Sequence, residues 1–176
     1  MRNIKRVDAA NNNVSTVSGL SNSRNLKWLD LSNNPFRNLD FLKDSNCIRV
    51  LILKNVRVPN LSVLSYLKHT IVLNLSENSL YNDPLICLQN MIILKSLSLS
   101  DNMYTEFPDI SNTLLFELNL ERNKFTSLSF PHLLPSLKIL RLEGNRIEKM
   151  SNFSMCPNLS ELYLFGNNIT GILMVI

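Results

Sequence analysis

Apolar residues recur along this chain at fixed offsets within a unit of about 22 residues. If the first apolar residue of a unit is position 1, then positions 4, 6 and 11 are also apolar and position 9 is asparagine. The stretch LKWLDLSNNPF, residues 26–36, shows the whole pattern. The units start at Ile4, Leu26, Ile48, Thr70, Leu94, Leu115, Leu137 and Leu159, with successive periods of 22, 22, 22, 24, 21, 22 and 22 residues.

The spacing within a unit predicts its local structure. Apolar residues at positions 4 and 6 indicate a short strand that faces a core, so the side chains at positions 3, 5 and 7 point to the opposite surface. Apolar residues at positions 11, 14 and 17 indicate an extended or 3₁₀ return. One unit cannot bury its apolar side alone, so the units must stack, and we expect a single repeat domain over residues 1–176 with an incomplete last unit.

Asparagine at position 9 is predicted to hydrogen-bond the backbone where the chain leaves the strand. The third unit has Val56 at this position, so we expect a local irregularity there, with Asn55 as a substitute. The predicted structural ladder is Asn12, Asn34, Asn78, Asn102, Asn123, Asn145 and Asn167.

This pattern, LxxLxLxxN/CxL, resembles the leucine-rich repeat family over residues 4–176. The 22-residue period and the apolar positions 11, 14 and 17 resemble its short class, typified by the regulatory subunit of a nuclear serine/threonine phosphatase. The resemblance implies an α/β solenoid, a horseshoe with a parallel β-sheet on the concave face and mostly extended or 3₁₀ returns on the convex side. It also implies a non-catalytic intracellular scaffold.

The columns at positions 2, 3, 5 and 7 predict a protein-binding surface in the first units. Trp28, Val50, Ile52 and Val72 form an exposed apolar patch on adjacent strands, and Lys5, Lys27 and Arg49 form a basic column beside it. We expect a partner protein with an apolar and acidic segment. The alternative is that such residues are ordinary on a concave face, or are covered by the same chain. The predicted set is Lys5, Arg6, Lys27, Trp28, Asp30, Arg49, Val50, Ile52, Lys54, Val72 and Asn74.

Two further zones follow along the same face. The middle zone, Ser96, Ser98 and Ser100, is small and neutral and is interpreted as filler. In the last zone, cross-strand salt bridges account for the charges. Its residues are Glu117, Glu121, Arg141, Glu143, Tyr163 and Phe165.

Charge raises nucleic acid as an alternative partner. The net charge of +4 divides into +7 for residues 1–69 (11 basic minus 4 acidic) and −3 for residues 70–176 (7 minus 10). Trp28 could stack a base, but Asp8 and Asp30 lie on the same face and interrupt a phosphate track. The sequence therefore favours a protein partner.

Residues for catalysis, metal binding or cofactor binding are sparse. His69 and His132 fall in the outer returns without cysteine or carboxylate at metal-ligand spacing. The chain has only four glycines and no glycine-rich phosphate loop. We predict no enzymatic activity, no cofactor, no metal and no small-molecule substrate.

The compartment is predicted from the cysteines and the apolar runs. Three widely spaced cysteines, Cys47, Cys87 and Cys156, favour reduced thiols in the cytoplasm, with nuclear or cytoskeletal association open. No secretory signal or membrane span is expected. Six Asn-x-Ser/Thr sequons and the stretch LFGNNITG keep an alternative: a fragment of a secreted or cell-surface recognition ectodomain. The last unit lacks a polar cap, which also suggests a fragment.

Overall fold

Every unit of the repeat contributes one three-residue strand at its positions 3 to 5. The computed structural model describes residues 3–57, 60–81, 85–110, 114–150 and 152–171. The strands are β1 (Arg6–Asp8), β2 (Trp28–Asp30), β3 (Val50–Ile52), β4 (Val72–Asn74), β5 (Ser96–Ser98), β6 (Glu117–Asn119), β7 (Ile139–Arg141) and β8 (Glu161–Tyr163). They form one eight-stranded parallel sheet in chain order, which confirms the predicted solenoid with a parallel sheet.

The strands pair without any shift in register. Arg6 lies opposite Trp28, and Trp28 lies opposite Val50, so residues at one position of the repeat form a continuous column across the sheet. The position 4 column faces the core. Its central members, from Leu29 to Leu140, are at most 1% exposed, whereas Val7 and Leu162 in the terminal strands are only half-buried. Each unit is therefore sealed by its neighbours.

The returns on the outer side carry little helix. Short 3₁₀ helices lie at Leu20–Asn22, Asp40–Leu42, Ser62–Tyr66 and Ile86–Asn90, and the described parts of the later units have none. This agrees with the predicted extended or 3₁₀ returns. In the later units aromatic rings fill the outer core: the ring of Phe130 lies 4.8 Å from that of Phe107 and 5.5 Å from that of Phe153, between centroids.

The position 9 asparagines bind the backbone of two successive units. The Asn102 side-chain amide donates to the carbonyls of Leu75, Leu99 and Ser100 at 3.0–3.1 Å. Its Oδ1 accepts the backbone N–H of Asn78 and of Leu80. From Asn34 to Asn167, each such side chain therefore joins the strand of the preceding unit to the loop of its own.

The residue at position 8, just before the ladder position, has a left-handed backbone in all eight units. The position 8 residues have φ between 49° and 71°, a region in which Asn, Asp and Gly are the least strained residues. This conformation turns the chain out of each strand. The residues are Asn11, Asn33, Asn55, Glu77, Asp101, Arg122, Gly144 and Gly166.

The third unit accommodates Val56 without the predicted substitute. Val56 is 4% exposed, and its N–H donates to Asn78 Oδ1 at 2.9 Å. Asn55 does not take over the ladder position, because its amide donates to Asn33 Oδ1 instead. An additional left-handed residue, Arg57, does follow, but Ser79 has the same conformation after Asn78. The expectation for Asn55 was wrong, and the missing asparagine alone does not explain the extra turn.

Candidate protein-binding face

The first four strands bring the predicted apolar residues together on the concave surface. We call Trp28, Val50, Ile52 and Val72 the apolar patch. Trp28, Val50 and Val72 occupy one column on consecutive strands, and Ile52 lies opposite Asp30 and Asn74 in the next column. All four side chains are half-buried, whereas their core-facing neighbours on the same strands are fully buried. The patch is thus contiguous and partly open to solvent.

A cation stacks on the tryptophan at the edge of the patch. The Arg6 guanidinium carbon lies 3.7 Å from the centroid of the Trp28 ring, a cation–π contact between position 3 residues of β1 and β2. The sequence placed both residues in one column. The stacking itself depends on side-chain rotamers, for which the sequence held no signal.

The basic column lies where the strands begin. The backbone N–H of Lys27 donates to the Lys5 carbonyl and that of Arg49 to the Lys27 carbonyl, both at 2.8 Å, so the three side chains start from adjacent strands. Lys5 and Lys27 are exposed and form no ion pair with any described residue. Their ammonium groups remain available to an acidic partner.

Two other predicted cations already have partners within the chain. The Arg49 guanidinium donates to the His69 carbonyl at 2.8 Å. Lys54 forms an ion pair with Glu77 at 2.8 Å, and both side chains are about 40% exposed. These contacts orient Arg49 and Lys54, and the Glu77 carboxylate reduces the charge that Lys54 offers to a partner.

Asp30 and Asn74 have a structural role that the sequence analysis missed. Asp30 Oδ1 accepts the Ser32 N–H at 2.9 Å and the Ser32 hydroxyl, and Asn74 Oδ1 accepts the Ser76 N–H at 2.9 Å. Asn119 makes the same bond to the N–H two residues on. Recurrence of Asp or Asn at position 5 was the available signal. The Oδ1 atoms that accept these bonds close the turn after the strand.

In the middle zone, serine hydroxyls hydrogen-bond to one another. Ser76 Oγ lies 2.8 Å from Ser98 Oγ and accepts from Ser100 Oγ at 3.0 Å. Ser76 and Ser100 are buried. The zone is therefore a surface of small, neutral side chains between the two ends of the sheet.

The last zone combines carboxylates with aromatic rings. Arg141 Nε lies 3.4 Å from Glu117 Oε1, and its guanidinium carbon lies 4.4 Å from the Tyr163 ring centroid. The Tyr163 hydroxyl donates to Glu161 at 2.7 Å, which raises the pKa of Tyr163. Phe165 is 88% exposed. Salt bridges of the predicted kind therefore account for Glu117, but they leave Glu161 without a cation among the described residues.

Groups for other chemistry are not assembled in the part of the chain that the structure describes. No three His, Cys, Asp or Glu side chains there could hold a metal ion together. His132 instead pairs with Asp109 at 3.2 Å, and His69 Nδ1 lies 3.0 Å from the Asn46 carbonyl. None of the helices among these residues is long and apolar enough to cross a membrane.

These features, repeated strand–turn units with an asparagine ladder and a parallel concave sheet, define a leucine-rich repeat fold. The comparisons agree. A family model described as Leucine Rich Repeat matches residues 25–55, and one described as Leucine Rich repeats (2 copies) matches residues 135–173. Both stretches are thus similar to leucine-rich repeats, whose family members are typically non-catalytic interaction modules. No curated protein matches the sequence.

Two solved structures extend the likeness over almost the whole chain. Internalin C2 from Listeria monocytogenes superposes with a TM-score of 0.78 at 26% identity, covering 96% of this chain and 74% of that one. Toll, in the structure of the Toll–Spätzle complex from Drosophila, gives 0.75 at 18% identity, covering 95% of this chain and 27% of that one. The second likeness concerns the fold alone.

Proposed function

We propose that this protein is a non-catalytic scaffold or adaptor that binds a partner protein on the concave side of β1–β4. The observation that carries the proposal is the half-exposed apolar patch of Trp28, Val50, Ile52 and Val72, with the free ammonium groups of Lys5 and Lys27 beside it. Tryptophan is enriched among residues that dominate binding energy, and charged rims favour complementary partners. The partner segment is apolar and acidic.

The direction of the Arg6 side chain supports this chemistry. Because its guanidinium lies over the Trp28 ring, the cation and the apolar surface are adjacent at one site. A partner that places an aliphatic side chain against Ile52 can place a carboxylate near Arg6 or Lys27. An anion without an apolar group would contact the basic column but not the apolar patch.

The same proposal covers organisation and compartment. Residues 1–176 form one repeat domain, and it works in the cytoplasm. All three cysteines are free in the structure. Burial raises the pKa of Cys87 and of Cys156 to about 11, so both stay protonated and poorly reactive at neutral pH, as suits structural thiols in a reducing compartment.

The test is affinity capture with a double variant and a matched control. Trp28→Ala with Ile52→Asp removes the patch. Tyr66→Ala with Ile86→Asp makes the same kinds of change at exposed residues of the outer 3₁₀ helices. The proposal predicts that the first variant loses a protein that the wild type and the control both retain. Retention of every partner by the patch variant would refute it.

A salt titration of the same complex separates protein from nucleic-acid partners. We expect a shallow dependence on salt together with strong loss on Trp28→Ala, because apolar contacts supply most of the affinity. A steep loss of affinity with salt, shared by unrelated sequences of RNA or DNA, would instead indicate phosphate binding.

A further inference from the structure

The two ends of the concave face carry opposite charge, and this difference constrains how charge is arranged along the partner. At the β1–β3 end the unpaired groups on the face and rim include Lys5, Arg6 and Lys27. At the β6–β8 end, carboxylates occupy position 3 or position 7 of every unit. These are Glu117, Glu121, Glu143 and Glu161.

The acidic end is only partly neutralised by its own cations. Arg141 reaches Glu117, and Arg122 pairs with Glu121 at 3.0 Å and with Asp101. Glu143 and Glu161 form no ion pair with any described residue, and Glu143 Oε2 is buried without a hydrogen-bond partner there. A carboxylate oxygen withdrawn from water in this way is destabilising unless a donor reaches it. A donor supplied by a ligand would relieve that cost.

The region between the ends does not obstruct a bound chain. Ser96, Ser98 and Ser100 are small, and the last two hydrogen-bond within the serine cluster. From β2 to β7 there are five strand spacings of ~4.8 Å, about 24 Å. An extended segment rises ~3.3 Å per residue, so about seven residues span the two ends.

We propose that the segment bound on this face is a bipolar stretch of a protein, apolar and acidic over β1–β3 and basic over β6–β8. The segment crosses the strands, with about seven residues between the centres of its two charged groups. Its basic side chains pair with Glu143 and Glu161 and lie beside Tyr163 and Phe165. This inference rests on the proposed function and adds the second half of the site and the direction of the bound chain.

The probe is a fluorescein-labelled synthetic peptide with Glu-Leu-Glu at one end and Lys-Lys-Lys at the other. A Ser/Gly spacer sets the central residues of these two groups seven residues apart. An isomer of equal composition with alternating charges is the control. Fluorescence anisotropy measures the affinity of both peptides for the whole chain. We expect the isomer to bind about three- to tenfold more weakly, because it cannot place both charges correctly.

Two variants locate the ends of the peptide, and their unfolding midpoints are measured to exclude misfolding. Lys5→Glu with Lys27→Glu, and separately Glu143→Gln with Glu161→Gln, should each weaken the bipolar peptide about three- to tenfold. If only the lysine variant matters, the bipolar inference is wrong and binding at the patch stands. If only the glutamate variant matters, the proposed patch is wrong. Equal affinity for both peptides, or no binding of either, overturns the bipolar inference.

Discussion

The core-facing and concave surfaces of this sheet are built by alternate residues of the same short strands, yet they follow different rules. On β3, Leu51 is fully buried in the core, while its neighbour Ile52 stands half-exposed on the concave side. The Leu51 column repeats nearly the same residue in every unit, whereas the Ile52 column runs from aspartate through isoleucine and serine to tyrosine. Repetition marks the residues that stabilise the fold. In the varied column Asp30, Asn74 and Asn119 close turns, and Ile52 is the residue available for recognition.

The sharpest test of this contrast compares Leu51→Ala with Ile52→Ala. Removing Leu51 leaves a cavity among side chains that are 0–1% exposed, so we expect a loss of about 2–5 kcal/mol in the free energy of unfolding. Ile52→Ala should cost less than about 1.5 kcal/mol, since that side chain is already partly in water. Urea unfolding followed by circular dichroism measures both. Equal losses would mean that the two faces are not distinct in energy.

The asparagine ladder offers a second comparison, between its centre and its end. Asn102→Ala removes three donated and two accepted hydrogen bonds at a buried site, and we expect it to lower the free energy of unfolding by about 2–4 kcal/mol. Asn12 is exposed, and among the described residues it donates to the Ala9 and Ala10 carbonyls alone, so Asn12→Ala should cost less than about 1 kcal/mol. The same urea titration serves. A larger loss at Asn12 would contradict the account.

Two lysines at the same repeat position lie near opposite ends of the concave face, and their variants distinguish the two ends. Lys27 and Lys138 both occupy position 2, but Lys138 Nζ lies 5.6 Å from the Phe116 ring, beside the acidic end. We predict that Lys27→Glu weakens the captured partner about three- to tenfold, because it repels the partner's acidic segment. Lys138→Glu should not weaken binding, because it adds a carboxylate at the end that faces the partner's basic side chains. Isothermal titration calorimetry measures both, and equal weakening would show that the basic column is not special.

The last expected effect concerns the thiols on the outer side and is confined to alkaline pH. Burial raises the pKa of Cys87 and Cys156 from 9.0 to about 11, so the folded protein holds these protons more firmly than the unfolded chain does. The stability that this provides is complete below pH 9 and is lost as the pH rises from 9 to 11. We expect Cys87→Ala with Cys156→Ala to flatten the fall of the urea midpoint over that range. An unchanged pH profile would refute the assignment.

The sequence predicted the repeat, the parallel sheet and the side of each residue because these depend on periodicity. A strand that alternates between core and solvent fixes the position of Leu51 and Ile52 without knowledge of any contact. Val56, which replaces the asparagine of the ladder, did not disturb the repeat. Its N–H is bound by Asn78 of the next unit, so the interlocking of successive units compensates for one missing side chain.

The sequence could not predict how side chains on the concave face use their polar groups. Whether Arg6 stacks on Trp28, whether Arg49 turns to the His69 carbonyl and whether Asp30 binds Ser32 depend on rotamers and on local backbone geometry. These contacts separate the free cations from the engaged ones. The composition of the face was therefore readable in advance, but the distribution of its available charge was not.

The most direct test uses Trp28, the single tryptophan of the chain, as its own reporter. In the free protein the indole is half-exposed, so acrylamide should quench its fluorescence readily. On saturation with a captured partner, read with a partner or fragment free of tryptophan, we predict a blue-shifted emission and at least a twofold smaller Stern–Volmer constant, since the partner covers the ring. A saturated complex in which both the emission maximum and the quenching of Trp28 are unchanged would contradict binding at this face.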